Sequence, residues 1–375
     1  MNKQLSKVKE KSSSKNKVEK NRIPLEEKSL IPEVKKSMTE VLKIFSPGTA
    51  IRTALDDILR AEMGALIVFE TEGLMDIVEG GFKIDCRFSP QKLVELAKMD
   101  GAIILSRDLK KIIYANTSLT PEARIVTKET GTRHKAAERT AKQFKTIVAA
   151  ISERKKKITL YFDNESHFLE ETSEILRRAA ETLQILEKQR EIFEDLLSHL
   201  NVLEITNLTT MEDVCNVLQT AEIMRRISEN VKRYLIELGK EGMIVSMRLK
   251  ELTKNLNKEK DSILEDYFGL GWTKKEEILH NINFDVLLET SNILRILFGE
   301  LHDMPIVSGG KRILSKTNLM EKDIQTLLYN FKTLDKIINL EENSLRKIFN
   351  NEDSKIFFLD EIKNLKEKIL MGKKF

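Results

Sequence analysis

Three patterns of hydrophobic and polar positions follow one another along the chain. Residues 1–34 hold few large apolar side chains among many lysines and serines, which predicts a disordered basic arm. Residues 35–163 combine helical spacing between Ser37 and Arg60 with short apolar runs typical of buried strands. From residue 164 onward, apolar residues recur every three or four positions, which predicts long amphipathic helices.

The mixed region is expected to form an α/β domain. Its apolar runs are separated by glycines and charged residues, as turns between strands require. The last two runs, joined by a charged turn at 153–157, are expected to form a hairpin. The predicted strands are 65–70, 83–86, 102–106, 112–115, 146–152 and 158–162.

The helical remainder is expected to divide into two parts. Residues 164–282 predict a helical spine whose apolar stripe begins with Leu169, and helices are expected at 213–238 and 243–256. Residues 283–375 predict a small terminal domain of shorter helices, broken by proline and paired glycines.

Charge and cysteine content narrow the class of protein. The formal net charge is +4, yet residues 1–22 alone hold eight basic and two acidic residues, so the remainder is slightly acidic. A uniformly basic nucleic-acid binder is therefore excluded. Two cysteines, Cys86 and Cys215, exclude a disulfide framework and a cysteine zinc site and suit a reducing cytosol. Without an apolar run long enough to span a bilayer or to form a signal peptide, we expect a cytoplasmic protein that does not contact a membrane.

The strongest candidate for an anion site is the start of a predicted helix. Thr132 is expected to be the N-cap of a helix running from Arg133 to about Lys142. The free N–H groups and the dipole of a first helical turn favour a phosphate. Arg133, His134 and Lys135 add side-chain donors at the same end, as a triphosphate requires. The alternative is an ordinary capped helix with basic surface residues.

Two other segments could contribute chemistry. Asp100 and Gly101 stand immediately before a buried strand, where a carboxylate can hold a divalent metal or accept a hydroxyl proton. Gly101 would let a ligand approach the backbone, although an Asp-Gly pair is also a common turn. Ser152, at a strand end beside a basic turn, is suited to bind a phosphate oxygen, whereas the basic residues alone are more typical of a solvated turn.

Several familiar catalytic patterns are absent from the sequence. Without a G-x-x-x-x-G-K-[ST] loop or a G-x-G-x-x-G fingerprint, a Walker ATPase and a Rossmann dehydrogenase are disfavoured. There is no G-x-S-x-G nucleophile elbow either. The remaining histidines are scattered without metal-ligand spacing, at His167, His199, His280 and His302.

Together, two of these segments resemble the diadenylate cyclase family. Asp100 opens a D-G-A motif, and Arg133 opens a motif that is R-H-R in the family. Lys135 replaces the second arginine, which keeps the charge but loses the bidentate fork. Residues 157–161 and 234–242 resemble, respectively, a cyclase strand and the central helical domain of the DNA-scanning members of this family.

The resemblance covers about residues 35–350 and implies a fold. That fold is an α/β cyclase domain with a mixed sheet at 35–163, an all-α helical spine at 164–282, and a small helical C-terminal domain, like a degenerate helix-hairpin-helix unit, at 283–375. It also implies an activity, in which two ATP molecules condense to cyclic di-AMP and two pyrophosphates with Mg²⁺ or Mn²⁺ as cofactor. Two cyclase domains would face each other, each holding one ATP, within a homo-octamer.

The resemblance also implies roles for individual residues. Asp100 would lie near the ribose 3′-hydroxyl and the metal, and Leu119 would line the adenine pocket. Asp100, Arg133 and His134 are the expected catalytic residues. The expected ATP-binding residues are Gly101, Ala102, Leu119, Thr132, Arg133, His134, Lys135, Ala136 and Ser152.

The C-terminal domain departs from the resemblance. The hairpin glycines that would grip a DNA backbone are replaced by Asn350 and Glu352, and Asp353 adds a second negative charge. Lys311 and Arg312, or the basic arm, are the remaining candidates for contact with branched DNA. An alternative hypothesis is therefore a DNA-structure binding protein with a vestigial cyclase, and a further one is a helical scaffold with an inert α/β domain.

Overall fold

A computed structural model of the chain describes residues 37–300, 302–340 and 352–372. The predicted arm at 1–34 and the substituted hairpin position Asn350 lie outside these residues. Within them, an α/β domain built on one mixed sheet is followed by helices alone, which confirms the predicted fold class.

The sheet has eight strands in the order β2-β5-β4-β1-β6-β7-β8, and β3 pairs with β5 beside β2. Only the central pair β1 and β4 is parallel, and every other pair is antiparallel. The strands are β1 (Ala65–Phe69), β2 (Val78–Glu79), β3 (Phe82–Arg87), β4 (Ala102–Leu105), β5 (Lys111–Leu119), β6 (Ile147–Ser152), β7 (Lys157–Phe162) and β8 (Glu165–Leu169).

All six predicted strands are present, and the charged turn joins β6 to β7 as expected. β2 and β8 were not predicted. The assignment of Leu169 to a helical stripe is wrong, because Leu169 lies opposite Ile158 in the pairing of β8 with β7. The sheet therefore continues past residue 163. β8 is an edge strand with mostly polar or exposed positions, so it lacks the apolar run that reveals a buried strand.

Helices cover both faces of the sheet. On one face lie α1 (Met38–Ile44), α2 (Ala50–Arg60) and α3 (Pro90–Ala97), and on the other lies α4 (Thr132–Phe144). Side chains of β1 alternate between the two cores, with Ile67 in the first and Val68 in the second. Because both faces are covered, every residue of β1 and β4 is buried, which explains their continuous apolar sequences.

The spine is built on two long antiparallel helices. A capping box between Thr210 and Asp213 starts the second of them, and the helices pack through an apolar core that includes Leu186 and Leu218. The spine helices are α5 (Thr172–Thr206), α6 (Met211–Leu238), α7 (Met243–Leu252), α8 (Leu256–Phe268), α9 (Trp272–Asn281), α10 (Phe284–Leu287) and α11 (Thr290–Phe298). The last two lie beyond the boundary expected at residue 282, yet Leu287 and Leu297 belong to the spine core.

The C-terminal helices form a separate small core on the end of α5. Leu327 and Phe358 are fully buried there, and Val202 and Ile205 of α5 pack against the same core. The helices are α12 (Lys311–Leu314), α13 (Glu321–Phe331), α14 (Leu334–Ile338) and a last described helix, Glu352–Leu370. In the part of the chain that the structure describes, no helix is both long and apolar enough to cross a membrane.

The far end of α6 contacts the sheet domain. Ile236 packs against the core beneath α1 and α2, and His167 of β8 lies 3.2 Å from the Glu237 carboxylate. Gly239 follows with φ of +53°, and a side chain there would lie 2.6 Å from Ser46 Oγ. The glycine thus permits the close approach of spine and sheet domain.

Candidate active site

Three strand ends place the predicted site residues at one edge of the sheet. β1 and β4 run parallel with Leu66 opposite Ala102, so Gly64 and Asp100 precede these strands at the same edge. The antiparallel neighbour β6 finishes at that edge with Ser152. Residues 36 positions apart or more in the sequence are thereby brought together.

Helix α4 begins beside this edge, and no side chain caps its first turn. Gly131, in extended conformation, is the N-cap, and its carbonyl accepts the first helical hydrogen bond from Lys135 N at 2.8 Å. The prediction that Thr132 caps the helix is wrong, because Thr132 is already its first residue. Since no side chain caps the first turn, its N–H groups are available to an anion.

Arg133 connects the start of α4 to the sheet. Its half-buried guanidinium lies against Gly64, where the carbon of an added side chain would be 2.9 Å from Arg133 Cζ. Gly64 precedes β1 at the same edge as Asp100. The two predicted motifs, one carrying a carboxylate and one carrying basic residues, therefore converge in the fold.

Gly101 is the residue that lets β4 start at this edge. Its φ is +94°, and an added side-chain carbon would lie 2.7 Å from the Thr117 carbonyl oxygen of β5. Thr117 also donates from Oγ1 to the Ala102 carbonyl oxygen at 3.0 Å. Only glycine fits this combination of backbone conformation and close contact. Asp100, immediately before it, is exposed to solvent.

An apolar wall adjoins the charged groups. Leu119 and Ala136 are both half-buried and pack against the core between α4 and the sheet, to which Ala102 also belongs. Leu119 ends β5 two residues after Thr117, which pairs with Ala102, and so reaches the same edge. An aromatic base would find apolar contact on this side of the site.

His134 lies in an environment that keeps its imidazole neutral at pH 7. Burial lowers the pKa of His134, the Glu129 carboxylate opposes this, and the positive charges of Lys155 and Arg133 lower the pKa further. The ring of His134 meets the ring of Tyr161 edge to face, with centroids 6.4 Å apart at 78°. A neutral ring has one donor and one acceptor nitrogen for a ligand.

Two residues beside the site were not found by sequence reasoning. Tyr161 on β7 donates a hydrogen bond to Glu129, which stands two residues before Gly131. Glu138 on α4 is buried and holds Lys128 N at 3.1 Å and Lys142 Nζ at 2.6 Å. Burial acts to raise the pKa of Glu138, but hydrogen bonds from Lys142 and Thr127 outweigh it and lower the pKa. A tyrosine within a strand and a glutamate within a helix carry no local signal of such roles.

The two basic residues predicted to contact DNA are engaged within the fold. Arg312 is 3% exposed, and its guanidinium donates to Glu204 at 2.6 Å and to Asn201 at 2.7 Å. The expectation that Arg312 contacts DNA is therefore wrong, because a buried guanidinium cannot reach a phosphate. Lys311 is half-buried and forms an ion pair with Glu265 at 2.7 Å.

A metal would have to share its coordination with a substrate. Among residues 37–300, 302–340 and 352–372, no group of three or more His, Cys, Asp or Glu side chains is arranged to hold a metal ion. Mg²⁺ is commonly held by one or two carboxylates together with substrate phosphates. The exposed Asp100, at the sheet edge beside which the uncapped helix α4 starts, suits that manner of binding.

Two family models match successive parts of the chain. Residues 52–166 match the nucleotide-binding region of the DisA bacterial checkpoint controller, and residues 169–300 match its linker region. The DNA integrity scanning protein DisA of Clostridioides difficile is 42% identical over 321 residues, which cover 84% of this chain and 90% of that protein. The chain belongs to the DisA family. The DisA protein of Clostridium botulinum strain Eklund 17B is 40% identical over 343 residues, covering 89% and 97% of the two chains.

The regions that match DisA contain the whole candidate site. The nucleotide-binding match spans every residue at the sheet edge from Gly64 to Ser152. The linker match starts at Leu169, where β8 ends. Among solved structures, a double mutant of DacA from Staphylococcus aureus is 27% identical over 36% of this chain and 89% of that chain, with a TM-score of 0.27.

Proposed function

We propose that this DisA family member is a diadenylate cyclase that converts two ATP molecules into cyclic di-AMP and two pyrophosphates. The proposal rests on one observation, which is that the two motifs meet. Asp100 and Gly101 lie at the same sheet edge as Gly64, and Arg133, in the first turn of α4, lies against Gly64. This arrangement offers a carboxylate and an uncapped helix start with basic side chains at one edge. An apolar wall for a base adjoins them.

The chemistry assigned to the site is nucleotidyl transfer. The 3′-oxygen of one ATP forms a bond to the α-phosphorus of the other, the bond to the β-phosphate oxygen breaks, and pyrophosphate leaves. Asp100 accepts the proton of the 3′-hydroxyl, Arg133 and Lys135 offset the phosphate charge, and Ser152 orients a phosphate oxygen by a hydrogen bond. Most of the acceleration then comes from positioning and charge complementarity, without a covalent enzyme intermediate.

The remaining contacts to ATP follow from the same arrangement. Gly101 and Ala102 give the ligand access to the backbone, and Thr132 contributes the first free N–H of α4. Leu119 and Ala136 contact the adenine. His134, held neutral, supplies one hydrogen bond to a phosphate oxygen.

A divalent cation fits this donor set. Asp100 would hold Mg²⁺ or Mn²⁺ together with the ATP phosphates, since the surrounding described residues offer no complete metal cage. When bound, such a cation polarises the reacting oxygens and offsets phosphate charge.

Two copies of the chain are needed for the complete reaction. One sheet edge holds one ATP, and the second ATP must be presented by a facing copy, so that each nucleotide is attacked by the other. We therefore propose face-to-face cyclase domains within a homo-octamer. Sedimentation of the full chain, compared with a fragment 35–170 that retains β8, tests whether the helical part is needed for this assembly.

Branched DNA is proposed as a regulator, since DNA integrity scanning is the role in the names of the relatives. With Arg312 buried, Lys311 and the basic arm at 1–34 are the remaining candidates for phosphate contact. Salt-dependent binding of a four-way junction would support this contact, because each phosphate neutralised releases counterions.

The decisive experiment is a product assay on the full chain. Purified protein is incubated with ATP and either Mg²⁺ or Mn²⁺, and nucleotides are separated by chromatography, with and without a four-way junction. We expect one cyclic di-AMP for two pyrophosphates, and a loss of at least about 100-fold in Asp100→Asn, which removes the base. Asp108→Asn is the matched control, because this exposed aspartate lies just beyond the opposite end of β4.

Retained synthesis in Asp100→Asn would overturn the role of Asp100. Absence of product from oligomeric protein that binds ATP would overturn the cyclase assignment. Junction binding without product would instead support the DNA-structure binding protein with a vestigial cyclase.

A further inference from the structure

The loop that precedes α4 is tied down at two points. At the first, Glu138 of α4 accepts hydrogen bonds from the Thr127 hydroxyl and from Lys128 N, and Lys142 adds an ion pair at 2.6 Å. Thr127 Oγ1 in turn accepts from Glu129 N at 3.1 Å. The loop therefore enters Gly131 from a fixed direction.

The second tie comes from the sheet. Tyr161 of β7 is 1% exposed, and its hydroxyl donates to Glu129 Oε1 at 2.7 Å. Burial and the neighbouring Glu129 raise the pKa of Tyr161, so the hydroxyl remains a donor throughout the physiological range. The same tyrosine ring meets His134 edge to face. A single buried side chain thus contacts both the loop and the histidine.

We propose that Tyr161 and Glu129 are positioning residues for His134, so that the ring of Tyr161 sets the plane of the imidazole and the hydroxyl holds Glu129 beside it. The expected effect on the rate rests on the proposed cyclase function. The expected effect on the pKa of His134 does not. A short hydrogen bond from a neutral donor to a carboxylate is strong enough to fix a loop.

The charges around His134 make the proposal testable by titration. Glu129 is the acidic neighbour that raises the pKa of His134, against burial and the basic side chains of Arg133 on α4 and Lys155 on the β6–β7 turn. In Glu129→Gln, the attraction is lost and the pKa of His134 falls. In Tyr161→Phe, the Glu129 carboxylate is no longer held beside the imidazole, so the attraction weakens and the pKa of His134 also falls, by less than in Glu129→Gln.

The experiment measures the titration of His134 in the full chain. Histidine labelled with ¹³C at Cε1 is incorporated, and the His134 signal is assigned by its loss in His134→Asn. We expect the midpoint to move downward in both variants, by about 0.3 to 1 pH unit in Glu129→Gln and by a smaller amount in Tyr161→Phe. Cyclic di-AMP synthesis in both variants is expected to fall about 10- to 100-fold in kcat, since small displacements of a contact group cost that much.

Tyr267→Phe is the matched control. Tyr267 donates to Glu204 at 2.7 Å, so the variant removes the same kind of hydrogen bond far from the site. It is expected to leave both the His134 titration and kcat unchanged. Thermal melting of each variant identifies any loss of fold, and Glu129→Gln serves as the test if Tyr161→Phe does not fold.

The two titrations separate failure of this inference from failure of the proposed function. An unmoved His134 midpoint in either variant, or an upward shift in Tyr161→Phe, would overturn the positioning role whether or not the protein is a cyclase. Downward shifts in both variants without any cyclic di-AMP in the wild type would support the positioning role and contradict the cyclase.

Discussion

The Arg133 guanidinium lies against the bare Cα of Gly64, and this contact joins helix α4 to the active edge of the sheet. An added side-chain carbon at Gly64 would come 2.9 Å from Arg133 Cζ. The absence of a side chain before β1 therefore determines where a basic residue of the site can lie. Asp100 precedes the parallel neighbour β4 at the same edge.

Gly64→Ala is expected to remove activity without unfolding the protein. The new methyl group meets the end of a flexible side chain rather than backbone, so Arg133 moves away and the fold adjusts at little cost. We expect kcat/KM for cyclic di-AMP formation to fall about tenfold or more, because the arginine no longer reaches the phosphates. The melting temperature should change by less than about 2 °C.

The control for this change is Gly271→Ala, since nothing lies within 4 Å of a side chain at Gly271. It should alter neither rate nor melting temperature. If Gly64→Ala kept full activity, the proposed contribution of Arg133 to the site would be contradicted.

Gly101→Ala, in contrast, is expected to lower the stability of the fold. The φ of +94° is strained for alanine, and the methyl group would lie 2.7 Å from the Thr117 carbonyl oxygen, which belongs to a paired strand and cannot move aside. Strain of this kind costs about 1–3 kcal/mol. Thermal unfolding of the sheet domain should shift down by several degrees, and an unchanged melting temperature would argue against the close packing of β4 on β5.

Much of the sheet domain could be predicted because its central strands are buried on both faces. Such strands consist of continuous apolar runs, as in β1, β4 and β6, and these are visible in the sequence. Asp100 and the start of α4 were also visible, since an acid before a buried strand and a glycine before a basic helix are local patterns. Their proximity came from the resemblance and from the fold, because it depends on strand order.

What could not be predicted depends on contacts between distant residues. The hydrogen bond from Tyr161 to Glu129 joins residues 32 positions apart, and neither has a distinctive local sequence. Arg312 was a candidate for DNA contact because the hairpin glycines are replaced and this basic residue remained in the C-terminal region. Its burial results from the docking of α12 against Glu204, 108 positions earlier on α5.

Replacement of Arg312 is expected to destabilise the C-terminal helices. Arg312→Met leaves the Glu204 carboxylate, itself 3% exposed, without its cationic partner. Removal of one member of a buried ion pair costs about 3–5 kcal/mol. Limited proteolysis should then cleave preferentially after residue 300, while the sheet domain stays resistant. Arg312→Met together with Glu204→Leu should recover most of the loss, and a stable single variant would contradict the importance of the pair.

The stability of the contact between α12 and the spine is expected to depend on Asp266. Its carboxylate accepts hydrogen bonds at 2.9 Å from the backbone N–H groups of Lys311 and Arg312 at the start of α12. Burial raises the pKa of Asp266 from 3.8 to about 7, with a further upward contribution from Glu204, although the hydrogen bonds and Arg312 act to lower it. The folded protein thus keeps a proton that the unfolded chain releases near pH 4.

Since the folded state binds more protons than the unfolded state between about pH 4 and pH 7, Asp266 makes the free energy of unfolding decrease as the pH rises through that window. Asp266→Asn removes this dependence, on the order of 4 kcal/mol in total, while it costs one acceptor at every pH. The melting temperature of the variant minus that of the wild type should therefore increase from pH 4.5 to pH 8. The exposed Asp360→Asn, in the last described helix, is the control and should follow the wild type. Parallel curves for Asp266→Asn and the wild type would mean that Asp266 is already ionised in the folded protein at low pH.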